Sequence, residues 1–599
     1  MPSRLIDYGG TSYPTVKDRV ELSEGIGQNF VDGFINELKH YPKRPGLTLF
    51  ASTGTAFAID ALYRTVGKNP AIMIAVCNGA VYRVNSNGTV TAFTGSTLTA
   101  GNPCCFTEDV NFVYVAHGDA IAKLDVIALT VVLLTGGNAP TLVTQIAFTD
   151  NFLVCNGQIG GGGVAGDLNY SDDNLNGYIA ADSWEVFNNE ALGDSCTAVA
   201  VQWQELFCFG PESVEVSYDD GESPFARLSG GVSPYGIMAP FSLLNVDNTL
   251  YFLSRVDGAI RLVRLEGRRP VLASEQYDRQ LQGLTTLSSG RAFLAVVDGK
   301  PFYCIGFGGA DNVTYVFNLR TRTWSQWGLW NGATYDQFAG QCSAYWPEQN
   351  KFLIGDRRTN GRIYTFTGLT DNGTQIRYEL TSNVHRWGTL HNKEANCIVT
   401  ETKRGQGINA QGTLTSTGVI PADNDTVTIG ATVYRFKTVL VTAFDVLING
   451  SAANALINLK KAINLTGVAG TDYGTGTTVH PTVLASTITA TTLLVEAKVL
   501  QSGTAGNSIV TTETSLQLSW GGGTLSGASV FKFRYRNNGL DFIAPFRQLA
   551  IGNSADAAYY NRMNRCGTYR SRQYQVVHDD INSDFILVNT EEWMQVLAH

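Results

Sequence analysis

The sequence has few charged residues, and it has no apolar run long enough to cross a membrane. Charged residues make up 16% of its 599 residues, against about a quarter in an average globular chain. No stretch of about 18 apolar residues occurs, so we expect no membrane-spanning segment. The opening stretch "MPSRLIDYGG" lacks the apolar core of a signal peptide. The formal net charge of -9 argues against a protein that grips nucleic acid.

Patterns that would indicate a metal, a disulfide framework or catalysis are also missing. The ten cysteines form no C-x-x-C and no zinc spacing, and most lie in apolar runs, so we predict buried thiols in a reducing compartment. The glycine run 160–166 is not followed by the Lys-Ser/Thr of a phosphate loop. Asp172 and Asp173 are more typical of a surface turn than of a metal site. The sequence predicts no cofactor and no enzyme.

What is abundant is glycine and aromatic residues, which suits many short strands joined by tight turns. The chain has 63 Gly, 25 Tyr and 29 Phe. From about residue 70, an apolar run, a turn and a second strand recur, with units that start at residues 72, 111, 151, 205, 249, 301 and 351. Asn-Gly and Asp-Gly pairs such as Asn78-Gly79 and Asp257-Gly258 mark hairpins, because their turns need positive φ.

This repeat predicts a mainly β fold built around a β-propeller. A four-stranded sheet cannot cover both of its faces, whereas a ring of such sheets covers nearly all of them. The spacing fits propeller blades and leaves six and seven blades open. A long array of β-sandwiches is the structural alternative.

Composition shifts near residue 409, where threonine becomes frequent and aromatic residues nearly vanish until 527. One helical pattern lies inside, "SAANALINLKKAINLTG", with Leu456, Leu459 and Ile463 on one face and Gly467 as the expected cap. We therefore predict a small β-rich, Ig-like module inserted into a host domain. The predicted divisions are an N-terminal arm with a platform or ring-closing strand (1–50), the propeller (51–370), a platform domain split in two (371–408 and 528–599), and the inserted module (409–527).

The C-terminal segment carries arginines interleaved with aromatic residues, and these are Arg562, Arg565, Arg570 and Arg572. One interpretation is a solvated strand face whose arginines pair with acids. The other is an assembly interface, in which Arg and Tyr are favoured.

Several stretches resemble tail nozzle (tail hub) proteins of short-tailed bacteriophages. They are the opening "RVELSEGIGQNFVDGFINELKHYPKRPGL", the repeat with "NYSDDN" and "SWEVF", and the closing "YRNNGLDF", "FRQLAIG" and "NRCGTYRSRQYQV". The inserted "NDTVTIGATVYRFKT" and "AGNSIVTTETS" are similar to small domains of phage structural proteins.

The resemblance implies a structural virion protein that is made in the host bacterial cytoplasm and assembles into the virion tail. Six copies would form a ring below the portal and the adaptor and enclose the channel for genome retention and ejection. Further implied partners are a tail fibre or tailspike protein and viral double-stranded DNA, which passes without sequence-specific binding. The arm with Arg44, which Pro42 and Pro45 keep extended, would contact a neighbouring copy or the adaptor.

Two other functions stay open on the sequence alone. A carbohydrate-active propeller enzyme on a virion, a lyase or a glycosidase, would need paired carboxylates in one cavity. A kelch-like binding propeller of a cell would need no assembly into a ring.

Overall fold

The computed structural model of the chain describes residues 3–5, 29–135, 138–159, 167–171, 184–187, 194–218, 225–274, 277–387, 389–403, 407–498, 504–551 and 559–597. The glycine run 160–166 and the pair Asp172 and Asp173 lie outside the described residues.

The described residues from 47 to 366 form seven successive four-stranded antiparallel sheets. The first sheet contains Ile59–Arg64, Met73–Cys77, Ala80–Val84 and Val90–Ala92, and the second contains Cys105–Glu108, Val113–Ala116, Ala122–Asp125 and Thr130–Leu133. The third sheet contains Ile146–Thr149, Phe152–Ile159, Asp167–Ser171 and Trp184–Phe187, and the fourth contains Ala198–Gln202, Glu205–Phe209, Val214–Tyr218 and Ala226–Ser233. The fifth and sixth contain Leu244–Val246, Thr249–Val256, Ala259–Glu266 and Arg269–Ser274; and Arg291–Val297, Lys300–Phe307, Val313–Asn318 and Thr323–Trp330. The seventh contains Gly340–Trp346, Lys351–Asp356, Arg362–Phe366 and Leu47–Ser52. Short strands Thr94–Gly95, Pro140–Thr141, Tyr335–Gln337, Thr370–Asp371 and Thr374–Gln375 extend four of these sheets.

Tight hairpins join the strands where the sequence places Asn-Gly and Asp-Gly. Asn78 and Gly79 have φ of 50° and 80°, and Asp257 and Gly258 have φ of 52° and 79°. Both residues of each turn are therefore left-handed, as a two-residue hairpin turn of this kind requires.

Seven apolar clusters connect the seven sheets in a closed cycle. Each joins two neighbouring sheets, from the first and second (Val76 with Val113) to the sixth and seventh (Trp327 with Ile354). The seventh cluster joins the seventh sheet back to the first through Leu353 and Met73. We call this arrangement the sheet ring.

The N-terminal strand Leu47–Ser52 completes the seventh sheet, because it pairs antiparallel with Arg362–Phe366. The last sheet of the ring thus combines residues from both ends of the 47–366 segment, which ties these ends together.

Two further sheets follow the ring. The bridging sheet contains Phe30–Val31, Tyr378–Thr381, Arg572–His578, Val530–Asn537 and Arg547–Ala550, and it continues the sixth sheet because Val31 pairs with Gln326. The terminal sheet contains Ser3–Leu5, Ile586–Val596, Lys393–Thr402 and Tyr559–Asn564, with the short strands Tyr41–Pro42 and Thr568–Tyr569 alongside. One apolar core lies between the two sheets and includes Phe533, Tyr574, Met563 and Met594.

Residues 411–520 contain two more four-stranded sheets that pair with neither the ring nor the bridging and terminal sheets. One contains Val483–Ile488, Thr492–Ala497, Gln411–Ser416 and Leu518–Trp520, and the other contains Asp445–Leu447, Thr432–Lys437, Thr426–Ile429 and Thr511–Glu513. Their core cluster draws all of its residues from 410–528. This segment therefore has an apolar core of its own.

The longest described helix, Ala452–Asn464, packs in that core and buries Leu456, Leu459 and Ile463, as predicted. Ser451 caps its start by accepting a hydrogen bond from the Asn454 amide. Gly467 is not the cap, because Leu465 takes the left-handed position with φ of 56°.

The remaining described helices are short. They are Asp278–Gln282 and Thr504–Asn507, with 3-10 turns at Pro240–Ser242, Leu287–Ser289 and Pro347–Gln349. In the described part of the chain no helix has the length and apolar character to span a bilayer. All ten cysteines are thiols that form no disulfide, and Cys155, Cys208 and Cys304 are among those that are buried, as the apolar runs predicted.

Candidate assembly surface

Arg44 lies in the interior of the chain, where it joins the N-terminal arm to the sheet ring. Its side chain is fully buried. The Nε atom lies 2.7 Å from Asp32 Oδ1, and the two terminal nitrogens lie 2.8 and 2.6 Å from the two oxygens of Asp371. The guanidinium also donates to the Gly328 carbonyl and lies over the Phe338 ring. Arg44 therefore holds together residues from four separate parts of the sequence.

Two carboxylates share this one guanidinium, so the buried cluster has an excess negative charge. Burial raises the pKa of Asp32 to about 6, although Arg44 opposes the shift. Asp32 Oδ1 accepts from both Arg44 and the Gly328 amide, whereas Oδ2 has no hydrogen-bond partner among the described residues. A protonated Oδ2 would relieve the excess charge.

Arg572 is also completely buried, between the bridging and terminal sheets. It lies 2.6 Å from Glu592 Oε1, donates to Asn537 and to the Cys566 carbonyl, and stacks over the Tyr569 ring. Glu592 belongs to the terminal sheet and Arg572 to the bridging sheet. The ion pair therefore fixes one sheet against the other.

The prediction of an assembly interface must be corrected at these two positions. Arg44 and Arg572 have no exposed side chain with which to meet another molecule, because carboxylates of the same chain enclose them. The arm from residue 29 to residue 46 likewise lies on the chain's own sheets, since Phe30–Val31 pairs with Tyr378–Thr381 and Tyr41–Pro42 with Ile586–Val596.

The other three predicted arginines are exposed and follow one flank of the strand Lys393–Thr402. Arg562 pairs with Val399, the Arg565 amide donates to the Asn396 carbonyl, and Arg570 Nε lies 3.2 Å from Asn392 Oδ1. Seven residues of extended strand separate the outer two contacts, so the row is about 23 Å long. Among the described residues none of the three has a carboxylate partner, so all three charges face solvent.

Arg562 belongs to a larger exposed surface on the terminal sheet. Directly paired residues point to the same side of a sheet, which places Arg562, Val399 and Glu591 in one row. Tyr560 lies two residues before Arg562 and Trp593 two residues after Glu591, so both point to the same side; they are 58% and 38% exposed. The core residues Met563 and Met594 face the other way. We call Tyr560, Arg562, Glu591 and Trp593 the outer face of the terminal sheet.

This face has the composition of a binding surface, since Tyr, Trp and Arg dominate the energetics of protein interfaces. The Glu401 carboxylate lies near Tyr560 and raises the pKa of its phenol. The sequence analysis did not single out Tyr560 and Trp593. The alternation of "YYNRMN" with a buried Met563 between exposed neighbours is the signal that identifies them.

Comparison with known proteins gives one family. The family model described as "Bacteriophage P22 Gp10, beta-propeller" matches residues 41–370, which is more than half of the chain. No curated protein matches the sequence.

Among solved structures, two crystal structures are similar, both described as extracellular domains from B. thetaiotaomicron, one of a hybrid two component system and one of a one component system. They are 9% and 10% identical, with a TM-score of 0.37 each, and the matches cover 54% and 65% of this chain. The chain spans only 40% and 46% of their lengths.

Proposed function

The chain belongs to the phage family described as bacteriophage P22 Gp10, beta-propeller, and we propose that it is the tail nozzle protein of a short-tailed bacteriophage. Family membership makes it a structural protein of the virion. The finer proposal is a ring of six copies below the portal and the adaptor, which encloses the channel that retains and then releases the genome.

The propeller in this proposal has seven blades. Seven four-stranded sheets and a closed cycle of seven inter-sheet clusters among the described residues support that number over six. An N-terminal strand completes the last blade. This pairing supports a closed propeller ring, because it leaves only short strand edges exposed.

The outer face of the terminal sheet is the observation that carries the assembly role. It combines two exposed aromatic side chains with an arginine and a glutamate that lie on either side of Val399. In a ring of six, each contact joins two different surfaces of identical copies, so in this proposal the face meets another surface of the next copy and Arg562 pairs with an acid there. Arg565 and Arg570 extend the same flank toward a second partner, the adaptor.

The experiment is native mass spectrometry of the purified chain and of a triple variant, Tyr560→Ala with Arg562→Ala and Trp593→Ala. We expect a six-copy species for the natural chain and its loss in the variant. The matched control is Tyr345→Ala with Arg255→Ala and Trp203→Ala, which removes the same three residue types from exposed positions on the sheet ring. An unchanged six-copy species in the first variant would place the interface elsewhere.

Acidity supports the channel role. The net charge of -9 per chain repeats in every copy of a ring, so duplex DNA inside would meet repulsion rather than adhesion. The remaining partners in the proposal are a tail fibre or tailspike protein, and the site of synthesis is the host bacterial cytoplasm. The proposal includes no enzymatic activity.

A further inference from the structure

A cavity of about 500 Å³ opens at one end of the axis of the sheet ring. Its lining includes Asp60, Arg291 and Gln341 from the first strands of three sheets, and Phe241 from the turn before a fourth. First strands of neighbouring sheets pack against one another, as Ile59–Arg64 does against Gly340–Trp346, so they surround the axis. The volume is in the range of roughly 300–1,000 Å³ that is typical of small-molecule sites. We call this space the axial cavity.

The lining is positively charged, although the chain as a whole is acidic. Arg291 and Arg357 contribute two guanidinium groups, and Asp60 is the one carboxylate in the lining. That carboxylate is already occupied, because Oδ2 accepts from the Asn78 amide at 2.7 Å and the amides of Gly79 and Gly101 also bond to it. Asp60 also attracts Arg291, so it offsets one of the two guanidinium charges and leaves the lining with one net positive charge.

Both arginines are held by neutral main-chain groups. Arg291 Nη2 lies 3.2 Å from the Gly101 carbonyl, while Arg357 donates to the carbonyls of Phe338 and Gln337 at 3.0 and 2.9 Å. Asp356, next to Arg357 in sequence, attracts it but accepts its arginine hydrogen bonds from Nε and Nη2 of Arg358. Burial lowers the pKa of Arg291 and Arg357, although Asp60 opposes the shift at Arg291 and Asp356 opposes it at Arg357.

The rest of the lining supplies neutral hydrogen-bonding groups and one aromatic ring. Gln337 and Gln341 contribute amides, Ser288 and Ser289 contribute hydroxyls, and Phe241 contributes the ring. Gln341 Nε2 donates to the Ile59 carbonyl, which orients the amide and turns its oxygen away from that bond. Amides, hydroxyls and an aromatic ring are suited to the hydroxyl groups and C–H face of a sugar.

We propose that the axial cavity binds a sugar acid, with its carboxylate between Arg291 and Arg357 and its hydroxyl groups at the amides and serines. Arginine suits the carboxylate because its planar fork of donors matches two oxygens. This site lies within the sheet ring and does not depend on the proposed nozzle assembly.

The test is isothermal titration calorimetry of the full chain with sodium glucuronate. Glucose carries the hydroxyl groups without the charge, and acetate and inorganic phosphate carry the charge without the ring. We expect one glucuronate per chain. Glucose should bind at least about tenfold more weakly because it lacks the charge that the guanidinium groups bind, and acetate and phosphate should do so because they lack the hydroxyl groups that meet the amides and serines. Binding of phosphate or acetate as tightly as glucuronate would overturn the sugar-acid assignment, and so would the absence of glucuronate binding at millimolar concentration.

Two variants locate the site. Arg357→Met should weaken glucuronate binding at least about tenfold by removing one guanidinium. Gly308→Leu should block the cavity without disturbing its walls, because Gly308 lines it and a Cβ there meets no atom closer than Gln337 Oε1 at 4.0 Å. Arg255→Met is the matched control, since Arg255 is exposed on the fifth sheet, and should bind normally. Unchanged binding by the blocked Gly308→Leu variant would show that glucuronate binds elsewhere and overturn the proposal.

Discussion

Replacing Arg44 by methionine should destabilise the chain by about 3–5 kcal/mol, the range measured when one partner of a buried ion pair is removed. The variant leaves Asp32 and Asp371 buried without their counter-ion, and the Gly328 carbonyl loses a donor. Methionine fills much of the same volume, so loss of packing contributes little to the effect.

The assay is urea unfolding followed by tryptophan fluorescence. The buried Trp327 donates a hydrogen bond to the Gly33 carbonyl and so reports on the junction of the arm with the sheet ring. The earliest transition should move to lower urea in Arg44→Met. The matched control is Arg255→Met, which removes an exposed guanidinium from the fifth sheet and should change stability by less than about 0.5 kcal/mol.

A combined variant separates charge from packing. Arg44→Met together with Asp32→Asn and Asp371→Asn removes all three charges, so it should recover part of the lost stability. If Arg44→Met unfolds at the same urea concentration as the natural chain, the ion-pair cluster does not stabilise this junction and the reasoning fails.

Four further outcomes follow from the described contacts. The pKa of Asp32 in the folded chain is raised to about 6 from 3.8, so the stabilisation from its protonated carboxyl is lost as pH rises from about 4 to about 6. Asp32→Asn should therefore gain stability relative to the natural chain across that interval, measured by urea titrations at each pH. Deleting 409–527 and joining the ends with a short linker should leave a soluble, folded chain by circular dichroism, since the core of that segment is its own; an insoluble product would show that the segment is integral. The chain should bind duplex DNA only weakly at physiological salt in fluorescence anisotropy, and sub-micromolar binding with a steep salt dependence would contradict the acidic channel. No reducing sugar should be released from host surface polysaccharide, and release abolished by one Asp or Glu substitution would establish an enzyme.

The strands of the sheet ring could be predicted because a buried strand gives a local run of apolar residues in the sequence. Each of the seven repeat starts falls on or beside the second strand of a sheet, which are Met73–Cys77, Val113–Ala116, Phe152–Ile159, Glu205–Phe209, Thr249–Val256, Lys300–Phe307 and Lys351–Asp356. Most of their residues are buried, because neighbouring sheets cover both faces. A nearly continuous apolar run results, and such a run is the strongest signal that a single sequence gives.

The number of sheets could not be read in the same way. The last sheet takes its fourth strand from Leu47–Ser52, more than 300 positions from its partner Arg362–Phe366. No local period records that pairing, so the unit at 351 looks incomplete in the sequence. The helix was predictable because its apolar face repeats locally, whereas its end was not, since Leu465 adopts a conformation that glycine normally takes.

Long-range pairing also limited what the sequence could predict about the individual arginines of the candidate assembly surface. Arg44 and Arg572 resemble surface arginines in sequence, yet one of the two carboxylate partners of Arg44, Asp371, lies 327 residues away and the partner of Arg572 lies in another sheet. Pairing with distant residues decides whether each arginine is buried or exposed, and the residues next to it in sequence do not indicate that pairing. Arg562, Arg565 and Arg570 stay candidates for an interface because no such partner lies within the described residues.

The most direct test of the nozzle proposal is an electron cryomicroscopy reconstruction of isolated virion tails. The proposal predicts six copies of this chain around the channel, each with a seven-bladed propeller, and Tyr560, Arg562 and Trp593 buried between neighbouring copies. A reconstruction in which the chain surrounds no channel, or in which the outer face of the terminal sheet stays exposed in the complete tail, would contradict it.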